Sequence, residues 1–345
     1  MTRCLANSPV GPITRVLGVI ATLAICACFC ACGRSAPSAA PPSGSHSGHG
    51  GTTRNAADEP RYVVLSPALA VMLRDLGHED RIVARHAYDL VLDEDLPVAG
   101  ELGRIDYEVL IAARPTHALV EWGNAGQALP ERLESLARER HFEIMRFTLL
   151  TLADIRDAVD TLEATLPSTD PAPPDGFWQD RMDAAWVNNR LDDTGLPRFE
   201  RAGRILLVAA TNPTIGVTGP GSWHHQIVEA IGGTPAISDG APWMELSAED
   251  VVRLAPDAIL LIQPRGRDEP DAAPATPDEV LERLGVLARL DIPAIQSRRV
   301  ALIDDPLAHT PSTAMVPLTD QIARSWLWWS ASPREPVRTE SGRTE

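Results

Sequence analysis

Residues 246–261 read LSAEDVVRLAPDAILL, and residues 105–120 read IDYEVLIAARPTHALV. Each stretch has an apolar residue, a capping residue (Asp106 or Ser247), one spacer and then a glutamate (Glu108 or Glu249). Each continues as a short helical pattern, meets a proline nine residues past the cap (Pro115 or Pro256) and enters an apolar strand. The offset is 141 residues at every step. That period is too long for a solenoid, in which each repeat is one small stacking unit. It predicts two lobes built on one plan.

The flanking sequence extends the pattern. Arg61–Leu65 (RYVVL) reads as a strand. SPALAVMLRDLG follows as a helix with Ser66 as N-cap, Pro67 at the first position and Gly77 as the stop. Arg81–Arg85 (RIVAR) reads as the next strand, and Arg204–Ala210 (RILLVAA) opens the second lobe. Recurring strand–helix pairs predict an α/β class with mostly parallel sheets. The single crossing, 152–203, has two helical stretches around a Pro-rich break and predicts a helical spine between the two lobes. The expected division is a signal peptide over 1–31, a lipid anchor and flexible tether over 32–60, an N-terminal lobe over 61–151, the spine over 152–203, a C-terminal lobe over 204–330 and a disordered tail over 331–345. The last helix is expected near 312–329.

The 345 residues include 47 acidic and 31 basic side chains, a formal net charge of −16. Such acidity argues against nucleic acid as a partner and reads as a solvated surface. Every basic residue is arginine, which excludes P-loop and pyridoxal Schiff-base chemistry, since both need a lysine. G-x-S-x-G, H-E-x-x-H and a Rossmann glycine run are absent, so no enzymatic activity is expected.

Val16–Ala31 is an apolar run after Arg3 and Arg15, shorter than the roughly 20 residues that span a bilayer. It reads as a signal-peptide core. All five cysteines lie at or before Cys32, so the mature domain is expected to hold neither a disulfide nor a thiolate metal site. Phe29-Cys30-Ala31-Cys32-Gly33 resembles a bacterial lipobox, which implies lipid on Cys32, with Cys28 as the alternative. Gly33–Pro60 is rich in Ser, Gly, Pro and Ala and reads as a tether, with His46 and His49 solvated in it. An exported chain held at the cell-envelope membrane by its lipid is the expectation.

Ser247 and Asp250 fit a capping box. Glu249, between them, gains about 0.3–1 kcal/mol from the helix dipole, and the same holds for Glu108. The dipole does not require the match between repeats. His224 and His225, about 100° apart on a helix, read as helix-start residues at a cleft rim.

Taken in order, RYVVLSPALAVMLRDLG, RIVAR, VAGELGRIDYEVLIAARPTHALV, TGPGSWHHQIVEAIGG and DGAPWMELSAEDVVRLAPDAILL resemble the periplasmic-binding-protein family of iron-siderophore, haem and cobalamin ABC importers over about residues 61–330. The resemblance implies two Rossmann-like α/β lobes joined by a single long helical spine, with the ligand in the cleft between them, and a monomeric substrate-binding protein with no intrinsic cofactor. It implies capture of a metal chelate and delivery to a permease dimer driven by a separate ATPase, with Glu108 and Glu249 docking onto permease arginines. It places Trp243 and Trp122 at cleft tryptophans of the cobalamin-binding members and Tyr88 near a cleft tyrosine; Trp223 and His309 complete the candidate ligand-binding set. Aromatic faces suit a flat macrocycle, and a cobalt corrinoid is the first ligand expected. The chain departs from the cobalamin pattern at Leu102, Pro306 and Thr310, and Asp305 is close but unmatched. A ferric siderophore would use Arg85 or Arg104, and haem would use Tyr88, His86 or His309 as axial ligand. A non-transport sensor and a chelatase-like enzyme are the readings from other classes.

Overall fold

The computed structural model describes residues 59–101, 103–122, 127–167, 174, 176–188, 202–270 and 273–331. The expectations at Cys28, Cys32, His46, His49 and Leu102, and those for the tail after Ala331, fall outside these. No helix among the described residues is long and apolar enough to cross a membrane.

The first lobe runs β1 (Tyr62–Val64), α1 (Pro67–Asp75), β2 (Ile82–His86), β3 (Val98–Glu101), β4 (Arg104–Ile105), α2 (Tyr107–Ala113), β5 (His117–Glu121), α3 (Glu131–Arg140) and β6 (Glu143–Phe147). Its sheet order is β4-β3-β2-β1-β5-β6, parallel except at the β3–β4 pair. Two helices follow, α4 (Leu152–Thr165) and α5 (Phe177–Asn188). Both lie within the stretch 152–203 that links the two lobes.

The second lobe runs β7 (Arg204–Ala210), β8 (Ile215–Thr218), α6 (Trp223–Ala230), β9 (Thr234–Pro235), β10 (Trp243–Leu246), α7 (Ala248–Leu254), β11 (Ala258–Ile262), α8 (Pro277–Leu284), α9 (Pro293–Gln296), β12 (Val300–Ile303) and α10 (Met315–Ala331). Its order is β10-β8-β7-β11-β12, with β9 beside the start of β7. This sheet is more mixed than the sequence suggests, because β8 pairs antiparallel with both β7 and β10. Residues 211–214 join β7 to β8, and a parallel return needs a crossover of a dozen or more residues.

The repeat is exact at the level of elements. Tyr107–Ala113 and Ala248–Leu254 are helices, and His117–Glu121 and Ala258–Ile262 are strands, each pair 141 residues apart. Asp106 Oδ1 accepts from the Glu108 and Val109 amides at 3.0 and 3.1 Å. Ser247 and Asp250 form a reciprocal capping box. Both helices end on a left-handed residue, Arg114 at φ 46° and Ala255 at φ 43°, just before the proline that cannot continue them. The edge strands that precede the caps, β4 and β10, end at equivalent positions and are both antiparallel to their neighbours.

Strand alternation divides the core into three layers. Val63, Leu65, Ala118 and Val120 face one apolar cluster under α2 and α3. Leu206, Val208, Ile259 and Leu261 face another under α7 and α8. The opposite faces, including Tyr62, Val64, Leu119, Ile205, Leu207 and Leu260, join a third cluster with residues of α1, α4, α5, α6 and α10. The lobes therefore share one continuous apolar seam. Strands buried on both faces read as unbroken apolar runs, which is why AILLI is wholly buried.

Candidate functional site

A cavity of about 530 Å3 opens at the carboxyl ends of β1, β2 and β5 and beside the β3–β4 pair. In open α/β sheets ligands bind at such a switch point, where successive strands leave in opposite directions. Its wall includes Ser66, His86, Tyr88, Glu101, Arg104, Glu121 and Trp122.

Ser66 caps α1 and is buried; its Oγ accepts from the Ala68 and Leu69 amides at 3.2 and 3.4 Å. The same hydroxyl donates to Glu121 Oε2 at 2.6 Å. Burial pushes the Glu121 carboxyl above its ordinary range, against the Ser66 hydrogen bond, which lowers it. Trp122 continues from β5, and its indole N–H donates to the Ala128 carbonyl at 2.9 Å, which fixes the ring plane.

His86, at the end of β2, is buried, and burial pushes its pKa below the ordinary value. Its Nδ1 accepts from the Tyr88 amide at 3.2 Å. The neutral ring then carries its proton on Nε2, so it offers a donor rather than a lone pair for a metal. His86 as an axial ligand does not fit this arrangement. Tyr88 is 57% exposed, with its ring 5.7 Å from that of His86. Arg104 borders the cavity but pairs with Glu101 at 2.9 Å. Arg85 is outside the wall; it donates to the His86 and Glu94 carbonyls at 3.2 and 2.9 Å. The two arginines expected against an anionic chelate are thus engaged, one by a carboxylate and one by the loop that follows β2.

The other candidates stand in the second lobe, and none lines this cavity. Trp243 opens β10 and is 53% exposed. Its ring lies over Gly216 of β8, where a Cβ would stand 2.7 Å from Cζ2. Trp223 is packed against the shared seam, its ring 5.3 Å from that of His224 and its indole N–H buried without a partner. His224 and His225 are both buried, not rim residues: α6 turns them inward, and their Nε2 atoms meet the Ala308 and Ile237 carbonyls at 2.7 and 3.0 Å. Burial, reinforced by neighbouring His309, lowers the His224 pKa to about 3. The His309 ring stands edge-on to His224 at 5.4 Å. Desolvation of that ring lowers its pKa, against a hydrogen bond to the Ile262 backbone, although the residue as a whole remains exposed. Among the described residues no group of three or more His, Cys, Asp or Glu side chains is placed to hold a metal ion.

Glu108 and Glu249 occupy the second position of their repeat helices and are exposed. Among the described residues neither pairs with a cation.

Sequence reasoning missed Ser66 and Glu121 as cavity groups. A signal was present: the strand HALVE ends in a carboxylate where its repeat partner AILLI ends in isoleucine.

No protein-family model and no curated protein matches the chain. Solved structures do. The periplasmic vitamin B12-binding protein BtuF of Vibrio cholerae aligns with a TM-score of 0.58 at 16% identity, over 79% of this chain and 98% of its own. The periplasmic heme-binding protein HutB of the same organism aligns with a TM-score of 0.59 at 19% identity, over 77% and 98%. A protein of the ABC-type Fe3+-hydroxamate transport system of Saccharomonospora viridis aligns with a TM-score of 0.54 at 21% identity, over 78% and 94%. At such identities the likeness is one of fold, and nearly the whole of each of these structures takes part in it. The chain has the two-lobed fold of periplasmic substrate-binding proteins.

Proposed function

We propose that the protein is the substrate-binding component of an ABC importer, held at the envelope by lipid on Cys32, which captures a metal chelate and delivers it to a permease dimer. The observation that carries this reading is the cavity at the strand ends of the first lobe, where Trp122 and Tyr88 supply aromatic surface. Flat aromatic faces bury a large macrocycle with few rotamers to freeze. Trp243, exposed on the second lobe, is the proposed opposing wall; Trp223 and His309 are more distant supports.

A corrinoid is the favoured ligand. Among the described residues the one arginine on the cavity wall, Arg104, is paired with Glu101, which disfavours a strongly anionic siderophore. Haem is the second choice, with Tyr88 as its axial donor, because the phenol ring is exposed at the cavity. The matched pair Glu108 and Glu249, both exposed and unpaired among the described residues, supports docking onto cationic side chains of a two-fold permease. We read the protein as a carrier rather than a catalyst.

The test is uptake in the native host. Glu108→Arg together with Glu249→Arg is expected to abolish chelate uptake and to leave ligand affinity unchanged. Uptake that survives both reversals contradicts the docking role, and a fall in affinity instead assigns the pair to the fold.

A further inference from the structure

Glu121 is costly where it stands. It ends a strand whose other residues are buried or half-buried, and its repeat counterpart, Ile262, is fully buried and apolar. Its carboxylate can accept about four hydrogen bonds. Among the described residues one donor reaches it, the Ser66 hydroxyl at 2.6 Å on Oε2. Among the described residues no cation stands beside it; burial raises its pKa and the Ser66 hydrogen bond lowers it. A half-buried carboxylate gives up part of its hydration, and a single hydrogen bond replaces only part of what is lost. The side chain nevertheless faces the cavity rather than the core.

We propose that Glu121 determines specificity within the cavity: its unfilled oxygen, Oε1, accepts a hydrogen bond from an N–H donor on the rim of the bound chelate and rejects a ligand that presents a carboxylate there. Ser66 is its positioning partner, because the same hydroxyl is fixed by the first turn of α1. The partner chemistry is a carboxamide-bearing macrocycle edge. A site built to bond an N–H strongly disfavours an analogue that lacks it, because the buried acceptor is then left unpaired, and two carboxylates at one site repel. This inference rests on the proposed role as a chelate carrier and narrows it.

The experiment compares cyanocobalamin with its monocarboxylic acids, in which one rim carboxamide is hydrolysed, by calorimetry at pH 8 on the full mature chain. At least one monocarboxylate isomer is expected to bind tenfold or more weaker than cyanocobalamin. Glu121→Gln, which removes the charge and keeps the shape, is expected to reduce that discrimination several-fold. Glu121→Ala is expected to do the same, and serves if the first variant does not fold. Binding of cyanocobalamin with discrimination unchanged in both variants overturns the role of Glu121 and leaves the carrier function standing. Preference of the wild type for haem, which carries two carboxylates, overturns it too. No binding of any chelate overturns both.

Discussion

His224 makes acid stability a quantitative test of the seam between the lobes. Its ring is fully buried, bonded through Nε2 to the Ala308 carbonyl and edge-on to His309. Its pKa falls to about 3 in the folded protein, against about 6.5 in an unfolded chain. Between these values the unfolded state binds the proton and the folded state does not. The stabilisation is therefore complete above about pH 6.5 and is lost as pH falls toward 3. At pH 5 the linkage relation gives a loss of about 2 kcal/mol from this one residue. His78, lowered to about 4 by burial and then by Arg81, adds a loss of the same sign. Glu121 opposes them: its raised pKa gives stability that is present at low pH and lost as pH rises. The assay is urea unfolding at pH 7.5 and at pH 5, for wild type and for His224→Gln, whose amide keeps an N–H donor but does not titrate. The variant is less stable at pH 7.5, but its loss between the two pH values is expected to be about 2 kcal/mol smaller than that of wild type. Equal losses in the two proteins refute the buried neutral state of His224.

Three further outcomes are expected. Trp243→Ala weakens chelate binding tenfold or more while changing unfolding stability by less than about 1 kcal/mol, since the residue is 53% exposed; a large stability loss with unchanged affinity would place it in the core. Gly216→Val gives a similar loss of affinity, because a side chain there meets the Trp243 ring, and costs a further ~1–3 kcal/mol from overpacking; isothermal titration and urea melts separate the two. Leu260→Ala, in the layer shared by both lobes, costs about 2–5 kcal/mol by chemical denaturation, with a single transition because the seam is continuous.

Much of the fold was legible because the repeat is written in local chemistry. A cap, a short helix, a left-handed residue before proline and an apolar strand recur at one offset, and each step has its own physical cause. Ser66, Asp106, Ser247 and Asp250 act as the sequence predicts. The last helix was expected near 312–329 and spans Met315–Ala331. What was not legible depends on tertiary contact. Two adjacent histidines at a helix start look like a rim until both find carbonyl partners in other segments, Ala308 and Ile237. Arg85 looks free to meet an anion until the loop after β2 supplies carbonyls that need donors. Glu121 looks like the polar end of a strand, and its cavity exists only once β1, β2 and β5 lie side by side. Tyr88 and Trp122 meet at that cavity, whereas Trp223, Trp243 and His309 stand on the other lobe.

The most direct test of the account is calorimetric titration of the mature chain with cyanocobalamin, haem and a ferric hydroxamate siderophore. Saturable binding is expected, with cyanocobalamin the tightest of the three and with weakened binding in Trp122→Ala. Absence of binding across all three would contradict it.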